Sequence, residues 1–371
     1  MSQLRSPNKY DIVGSFLRPA ELKKARLDFE SGVIGRAELT AVEDDAIRDL
    51  VAKQKKAGLR IITDGEFRRA TWHLDFMWGF QGVGHSKTQT GLPFHGEAAM
   101  IDDTYLTGKV SVDHHPFVDH FKFLKALEDE NTVAKQTIPA PAQFLEQMIL
   151  PFAAANTARF YGSTQELVQD IVTGYKKVIA ELYAAGCRNL QLDDCSWGML
   201  VDPNAAQIFG TDAAGLERVK ELLLDINNRA IEGKPDDLVI ATHVCRGNFH
   251  STYASSGGYD AVAATLLARE AVDAFYLEFD DARSGGFAPL ASVPDGKQVV
   301  LGLVTTKTPA LEEKAEVIAR IHEAAKYVPL ERLCLSPQCG FASCEIGNKL
   351  SEEEQWAKIA LVKEIAGEVW G

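Results

Sequence analysis

No apolar run in these 371 residues approaches the roughly 18 that a membrane-spanning helix needs, which removes an integral membrane protein from the readings. The opening stretch MSQLRSPNKYDIVGS also lacks the apolar core of a secretion signal, so the expected location is the cytoplasm. A basic stripe is missing too. Against 39 Lys and Arg stand 52 Asp and Glu, a net charge of −13, and nothing in the pattern would track a phosphate backbone, so nucleic acid is not an expected partner. Cysteine is sparse. Six in a long cytosolic chain do not make a disulfide framework, which leaves metal ligation, nucleophilic chemistry or burial. No repeat, low-complexity tract or linker divides the chain, and nothing in it sets an oligomeric state.

What is present alternates. Short β-branched apolar runs at 10–13, 59–63, 132–138, 189–192, 238–242, 274–277, 299–304 and 332–335 read as strands. Helical periodicity follows or separates them at 19–29, 37–57, 164–185, 213–231, 259–271, 309–327 and 352–370, with Pro309 as an expected opening and Ser351 and Glu354 as a capping box. Eight such alternations predict an α/β protein, a single (β/α)8 TIM barrel occupying residues 1–371, with an open doubly wound sheet as the rival. Residues 71–131 break the rhythm and are rich in Gly, His and Asp. They read as a long insertion after strand two, with a hairpin, on the rim where insertions cover barrel sites.

The unusual residues keep register with the strands. Strand one runs into Gly14-Ser15, strand two into Asp64-Gly65-Glu66, strand four into Asp193-Asp194, strand five into His243-Val244-Cys245, strand six into Glu278 and strand eight into Cys339. All are C-terminal ends, where barrel enzymes place their sites. His243 and Cys245, two apart on extended chain, face one side and can share a metal. Glu278 closes an apolar run and is either a ligand or the ion-pair partner of Arg283. Cys339 sits in a turn fixed by Pro337 and Gly340. Cys334 and Cys187 read as core, and Cys195 as a pocket-lining candidate or packing. One His, two Cys and one Glu on the ends of strands five, six and eight suit Zn²⁺.

Two thiolates, a carboxylate and a neutral imidazole would give that zinc site a formal charge of −1. Such a site is a poor generator of hydroxide and a good holder of a nucleophilic thiolate. A substrate thiol with a reference pKa of about 8.5 is mostly protonated at neutral pH, and coordination removes that proton. The chemistry expected is transfer of an alkyl group, methyl by preference, onto sulfur. Glu66 and Asp193 suit an ammonium, and Ser15 with the Gly14 backbone suits a carboxylate. Asp194 is a second rim acid or a helix cap. Trp197, with Trp72 and His73, walls the pocket or packs. Lys307, beyond strand seven, faces the cavity or solvent.

Together, VGSFLRP at 13–19, DGEFRR at 64–69, QLDD at 191–194, HVC at 243–245, Glu278 and SPQCGF at 336–341 resemble the cobalamin-independent methionine synthases, over nearly the whole chain. The likeness is to their C-terminal catalytic barrel, in the short single-barrel bacterial form. It implies zinc on His243, Cys245, Glu278 and Cys339, and homocysteine near Ser15, Glu66 and Asp193. Two features depart from that pattern. The chain is too short for the additional N-terminal barrel that helps bind polyglutamyl folate, and the family's proton-donating histidine aligns with Lys307. Lys307 and Asp193 are therefore the candidate catalytic side chains, and the methyl donor is methyltetrahydrofolate or a methyl-corrinoid, the latter needing no acid. Rival readings are an alkyltransferase acting on another thiol such as coenzyme M, a zinc hydrolase or lyase with Glu66 or Asp194 as base, and a binding protein with a structural zinc.

Overall fold

The computed structural model describes residues 4–371; the first three residues of the polar N-terminal stretch lie outside the described residues. Its centre is a parallel sheet of six strands, in order Gln136–Pro139, Asn189–Asp193, Val239–Val244, Ala274–Glu278, Gln298–Val304 and Leu333–Pro337. Further parallel pairing extends it. Ile61–Ile62 pairs with Val133–Ala134, which leads directly into Gln136–Pro139. The segment expected as strand one is held by bridges instead of a continuous ladder, Tyr10 to Leu335 on one side and Ser15 to Gly65 on the other. Asp11 N donates to Leu335 O (3.0 Å) and Phe16 N to Gly65 O (3.1 Å).

Alternation along these strands separates two environments. Leu190, Leu192, Phe275, Leu277, Val299, Leu301, Leu333 and Leu335 join the large core shared with the helices. Ala241, Ala274, Tyr276, Val300 and Cys334 form a small separate cluster with Val13 on the opposite face. Continuing the same parity brings His243, Cys245 and Glu278 onto that second face, at the C-terminal strand ends. The helices Arg36–Ala57, Thr164–Ala184, Ala213–Ile231 and Glu352–Trp370 pack on the first face, and the capping box at Ser351 and Glu354 is formed.

Two expected helices differ. In place of a helix over 259–271, a 3-10 turn Tyr259–Ala261 runs into the π-helix Ala263–Leu267. The cause is Tyr259, whose hydroxyl is anchored on the strand ends: it donates to Val244 O (3.1 Å) and accepts from Glu278 N (2.9 Å), so the backbone at Val262 leaves the α region. The helix expected from Pro309 begins at Lys314. Glu312 accepts from Thr305 N (2.8 Å) and from Lys358 Nζ (3.2 Å), which also donates to Ala310 O, and this holds 310–312 out of the helix. Within 71–131 lie two antiparallel pairs, Gln81–Ser86 with Asp103–Ser111 and Leu92–Phe94 with Glu97–Ala99, and the helix Pro116–Lys125. Among the described residues no helix is long and apolar enough to cross a membrane.

Away from the strand C-terminal ends, the interior face holds a charged pair. Asp11 and Lys135 are 1% and 2% exposed, and Lys135 Nζ lies 3.3 Å from Asp11 Oδ1 while also donating to Ile12 O. Tyr276 OH (2.8 Å) and Ser6 Oγ (3.1 Å) satisfy the other carboxylate oxygen. These bonds tie the N-terminal segment to strands from the middle of the chain. Breaking one partner of such a buried pair costs about 3–5 kcal/mol, because the other charge is left without compensation. Asp11→Ala should therefore lower the free energy of urea unfolding by that amount, and adding Lys135→Met should recover much of it. A loss under about 1 kcal/mol in the single variant would show that the pair is not structural.

Candidate active site

Three of the expected metal ligands converge. One ligand atom each from His243, Cys245 and Cys339 lies within 4.8 Å of the others, and all three residues are buried. The convergence follows from register. Asp193 pairs with His243 and Tyr276 with His243, so the end of Val239–Val244 sits between its neighbours, while Gln338 N donates to Val304 O (2.8 Å) and positions the turn carrying Cys339. Both ring nitrogens of His243 lack a hydrogen-bond partner although the residue is 3% exposed. An imidazole stripped of water and given nothing in return, beside two thiols, is the arrangement a soft or borderline metal ion satisfies. The residues therefore fit a metal. Hydrogen bonding from Cys195 and Cys339, aided by His243, holds the Cys245 thiol well below the usual thiol range. Burial opposes protonation of His243, but Cys245, Asp193 and Glu278 outweigh it and raise its pKa.

Glu278 stands beside the trio without joining it. Its Oε1 pairs with Arg283 at 2.7 Å and with Lys307 Nζ at 3.5 Å, and its Oε2 accepts from Arg246 N at 2.7 Å. The pairing with Arg283 that the sequence allowed is formed, and it leaves Glu278 fully buried next to the trio. Lys307 is turned into the same network, with Nζ 2.7 Å from Asp280, and does not line the cavity. Burial disfavours its charge, but Glu278 and Asp280 more than compensate and raise its pKa.

The cavity in front of the trio has a volume of about 780 Å³. Ser15, Glu66, Asp193, His243, Cys245 and Cys339 all line it. Glu66 is held in the left-handed region (φ 62°), which is costly for a residue with a side chain and is seen where a site over-determines the backbone. Its Oε1 accepts from Thr137 Oγ1 (2.9 Å) and pairs with Arg69 (3.2 Å), while Oε2 is buried without a partner. Burial raises the Glu66 pKa, against the pull of Arg69 and Arg18. Asp193 accepts from Gln191 (2.7 Å), and burial pushes its carboxyl up to about 7. Gly340 lets the Cys339 turn close on Ser15, since a Cβ there would lie 1.9 Å from Ser15 Oγ.

Other expected residues lie elsewhere. Asp194 caps the short helix Cys195–Leu200 through Ser196 N (3.2 Å) and binds Asn227 (2.8 Å), away from the cavity. Trp197 is fully buried in the core. Trp72 and His73 do line the cavity, stacked on one another at 4.4 Å. Cys195 proves to be a near neighbour of the trio, its Sγ 3.1 Å from that of Cys245. Glu146, Gln143 and Gln147 were missed. They line the cavity from the buried helix Pro141–Ile149, and the readable signal was three polar residues at i, i+3 and i+4 in an otherwise apolar segment.

Glu146 gives the site a pH signature. It is 3% exposed, bonded to Ser196 Oγ (2.8 Å) and Gln143 (3.1 Å), and burial pushes its carboxyl from 4.5 up to about 7. Between those values the native state keeps a proton that the unfolded chain has released. The penalty on folding is absent below pH 4.5, grows as pH rises and is complete above 7. Glu146→Gln should accordingly gain up to about 3 kcal/mol in urea unfolding at pH 8 and almost nothing at pH 4. A difference independent of pH would show that this carboxyl does not titrate in that window.

The profile described as "Cobalamin-independent synthase, Catalytic domain" matches residues 151–366. The uncharacterized protein YxjH of Bacillus subtilis (strain 168) is 42% identical over 99% of this chain and 96% of its own length. A crystal structure of a candidate vitamin-B12 independent methionine synthase from Listeria monocytogenes superposes with a TM-score of 0.78 at 37% identity, covering 100% of both chains. A B12-independent methionine synthase from Shewanella sp. W3-18-1, solved in complex with selenomethionine, shares the fold with a TM-score of 0.71 at 20% identity over 96% of each chain. Matched by the profile over more than half its length and by relatives over nearly all of it, the chain belongs to the cobalamin-independent synthase catalytic-domain family.

Proposed function

We propose that this protein is a zinc-dependent methyltransferase that methylates the sulfur of homocysteine to give methionine, and that it works in the cytoplasm. The observation carrying this is the convergence of His243, Cys245 and Cys339 on one cavity wall, with Glu66 and Asp193 on the same cavity. In this reading the pairings of Tyr10 with Leu335, Ser15 with Gly65 and Ile61–Ile62 with Val133–Ala134 close the strands into a (β/α)8 barrel. Residues 1–371 are then one catalytic domain with 71–131 inserted after strand two. Such a barrel would carry its active site on the face where these residues lie.

His243, Cys245 and Cys339, with Glu278 beside them as the fourth donor, would hold the zinc, whose charge would remove the thiol proton at neutral pH and leave electron density on sulfur. The protein's own groups do the rest. The unpartnered Oε2 of Glu66 and the carboxyl of Asp193 supply two acceptors for the amino acid's ammonium, and binding a cation there would draw both toward the ionised form. Ser15 Oγ and nearby backbone would receive the carboxylate. Trp72, Phe94 and Phe249 exclude water from the reacting atoms. Two carboxylates also count against a sulfonate thiol such as coenzyme M.

Of the two expected donors, the methyl-corrinoid is favoured. Among the described residues the cavity lining has five carboxylates, Glu66, Asp102, Asp103, Glu146 and Asp193, and no Lys or Arg to receive a polyglutamyl tail. Lys307, bound to Asp280 with its pKa raised, is poorly placed to protonate a folate nitrogen.

Zinc content of purified variants tests the ligand reading: Cys339→Ser should lose most of the metal and Cys334→Ser should keep it, and equal content in the two would overturn the assignment. Substrate recognition is tested by Glu66→Gln, which removes a charge-assisted contact of about 1.5–3 kcal/mol and should raise the KM for homocysteine by roughly 10- to 100-fold. Donor choice is read from methionine formed with methylcobalamin and with methyltetrahydrofolate supplied separately; turnover with folate alone would refute the preference for corrinoid.

A further inference from the structure

His73 is a polar ring with nothing to bond. It is 5% exposed and lines the cavity, yet neither ring nitrogen makes a hydrogen bond among the described residues, and Nδ1 is buried without a partner. Stacking on Trp72 at 4.4 Å does not account for it, since a phenyl ring would stack there and leave no polar atom unsatisfied. Burial pushes the imidazole down to about 3, so at neutral pH it is uncharged, with one N–H to donate and one nitrogen to accept. Unused bonding capacity on a buried cavity wall points to a partner that comes from outside.

The backbone places this ring near the Ser15 end of the cavity. Trp72 N donates to Ser343 O (2.8 Å) and Thr71 bridges Cys344, while the residue before Ser343 in the same loop, Ala342, donates its N to Ser15 Oγ (3.3 Å). Consecutive residues of one loop thus hold the segments that carry Ser15 and His73. Asp75 fixes the turn leading into His73, accepting from Ala70 N (3.1 Å) and Thr71 N (2.8 Å).

The charge of the cavity decides which partner fits. Its acids, Glu66 and Asp193 among them, serve the ammonium in the reading above, and the carboxylate of the same amino acid needs N–H or O–H donors in a lining without Lys or Arg. Several amides of that lining are already committed: Gln143 Nε2 to Glu146 (3.1 Å), Asn156 Nδ2 to Leu106 O (3.1 Å) and Asn248 Nδ2 to Gly340 O (2.8 Å). A lysine or arginine at position 73 would be drawn to Glu66 and Asp193, as Arg69 already is to Glu66 Oε1, and would displace the substrate's ammonium. A neutral imidazole leaves those acids free and still offers an N–H to an anion.

We propose that His73 is a specificity-determining residue whose ring N–H, together with Ser15 Oγ, receives the α-carboxylate of the thiol substrate. This rests on the homocysteine reading above. It holds the substrate at a third point besides its sulfur and its ammonium, and so selects an α-amino acid over a simple aminothiol.

The test compares homocysteine with homocysteamine, the same aminothiol without the carboxylate, by calorimetric titration of the full-length, zinc-loaded protein. His73→Phe keeps a stacking ring and loses the N–H. It should weaken homocysteine binding about 10- to 100-fold and leave homocysteamine within about 2-fold of the wild type. Glu66→Gln, acting on the ammonium that both compounds carry, should weaken both. His73→Leu gives the same comparison where the phenyl ring is not accommodated, and thermal melts report whether each variant folds. Equal losses for the two thiols in the His73 variants, or no loss for homocysteine, would overturn this inference and leave the substrate reading standing on wild-type homocysteine binding. A wild type that binds neither thiol would overturn both.

Discussion

The parallel register between Asn189–Asp193, Val239–Val244 and Ala274–Glu278 is the constraint on which the site depends. Pairing Asp193 with His243 and Tyr276 with His243 fixes which residues stand level, and the two-residue period of extended chain fixes which face they share. A slip of one residue would send His243 and Cys245 into the apolar layer with Ile240 and Val244, where an imidazole and a thiol would find no partners. The cost of that slip is what makes the placement robust. Apolar packing on one face of the strands thereby positions the polar chemistry on the other.

Around the cavity, charge is divided unevenly, and the division separates structural from chemical roles. On the strand-six side, Glu278, Asp280, Arg283 and Lys307 compensate one another within 3.8 Å and hold the backbone behind Cys245. On the opposite side Glu66, Asp193 and Glu146 line the cavity; Glu66 has Arg69 on one oxygen only, Asp193 and Glu146 form no ion pair among the described residues, and burial raises the pKa of each. A protein that needed only stability would not keep three such acids at one cavity, since each disfavours folding once the pH passes the ordinary carboxyl pKa. Buried acids with oxygens left over make sense where a cation arrives from outside. That is the electrostatic form of the proposed preference for an ammonium-bearing thiol.

Much of this was legible from residue order because the signals were local. The strand cores read as β-branched runs, and the rim residues follow them at fixed offsets, so the order of residues alone puts His243, Cys245 and Cys339 on one rim. What was not legible depended on contacts distant in the chain. That Arg283 returns to Glu278 depends on the path of 279–283, which has no periodicity to read. Asp194 and Trp197 looked like rim residues, yet the turn after Asp193 starts a helix that Asp194 caps, and Trp197 is carried into the core. Regular helix was expected over 259–271, but a single tyrosine hydroxyl bound to two strand ends overrides the local periodicity there. Cys195 next to Cys245 is a contact across 50 residues, visible only once the helix Cys195–Leu200 has been placed.

The insertion shows how the outer part of the site is joined to the inner. Its hairpin Leu92–Phe94 with Glu97–Ala99 contributes Leu92, Pro93 and Phe94 to the cavity wall and is fastened to the loop that follows Cys245. His95 N donates to Tyr253 O (2.8 Å), Thr252 Oγ1 donates to His95 O (2.7 Å), His250 lies 3.1 Å from Glu97, and Phe94 packs on Phe249 at 5.3 Å. The same loop returns to the Cys339 side through Asn248, whose amide donates to Gly340 O (2.8 Å) and Ser343 Oγ (3.1 Å). His250 and Ser251 take up positive φ angles to make these turns. A hairpin bonded to this loop cannot move without loading the chain between Cys245 and Asn248. The wall that shapes the outer cavity and the turns that present Cys245 and Cys339 are therefore one mechanical unit, and the geometry of entry is coupled to the geometry of the donor atoms.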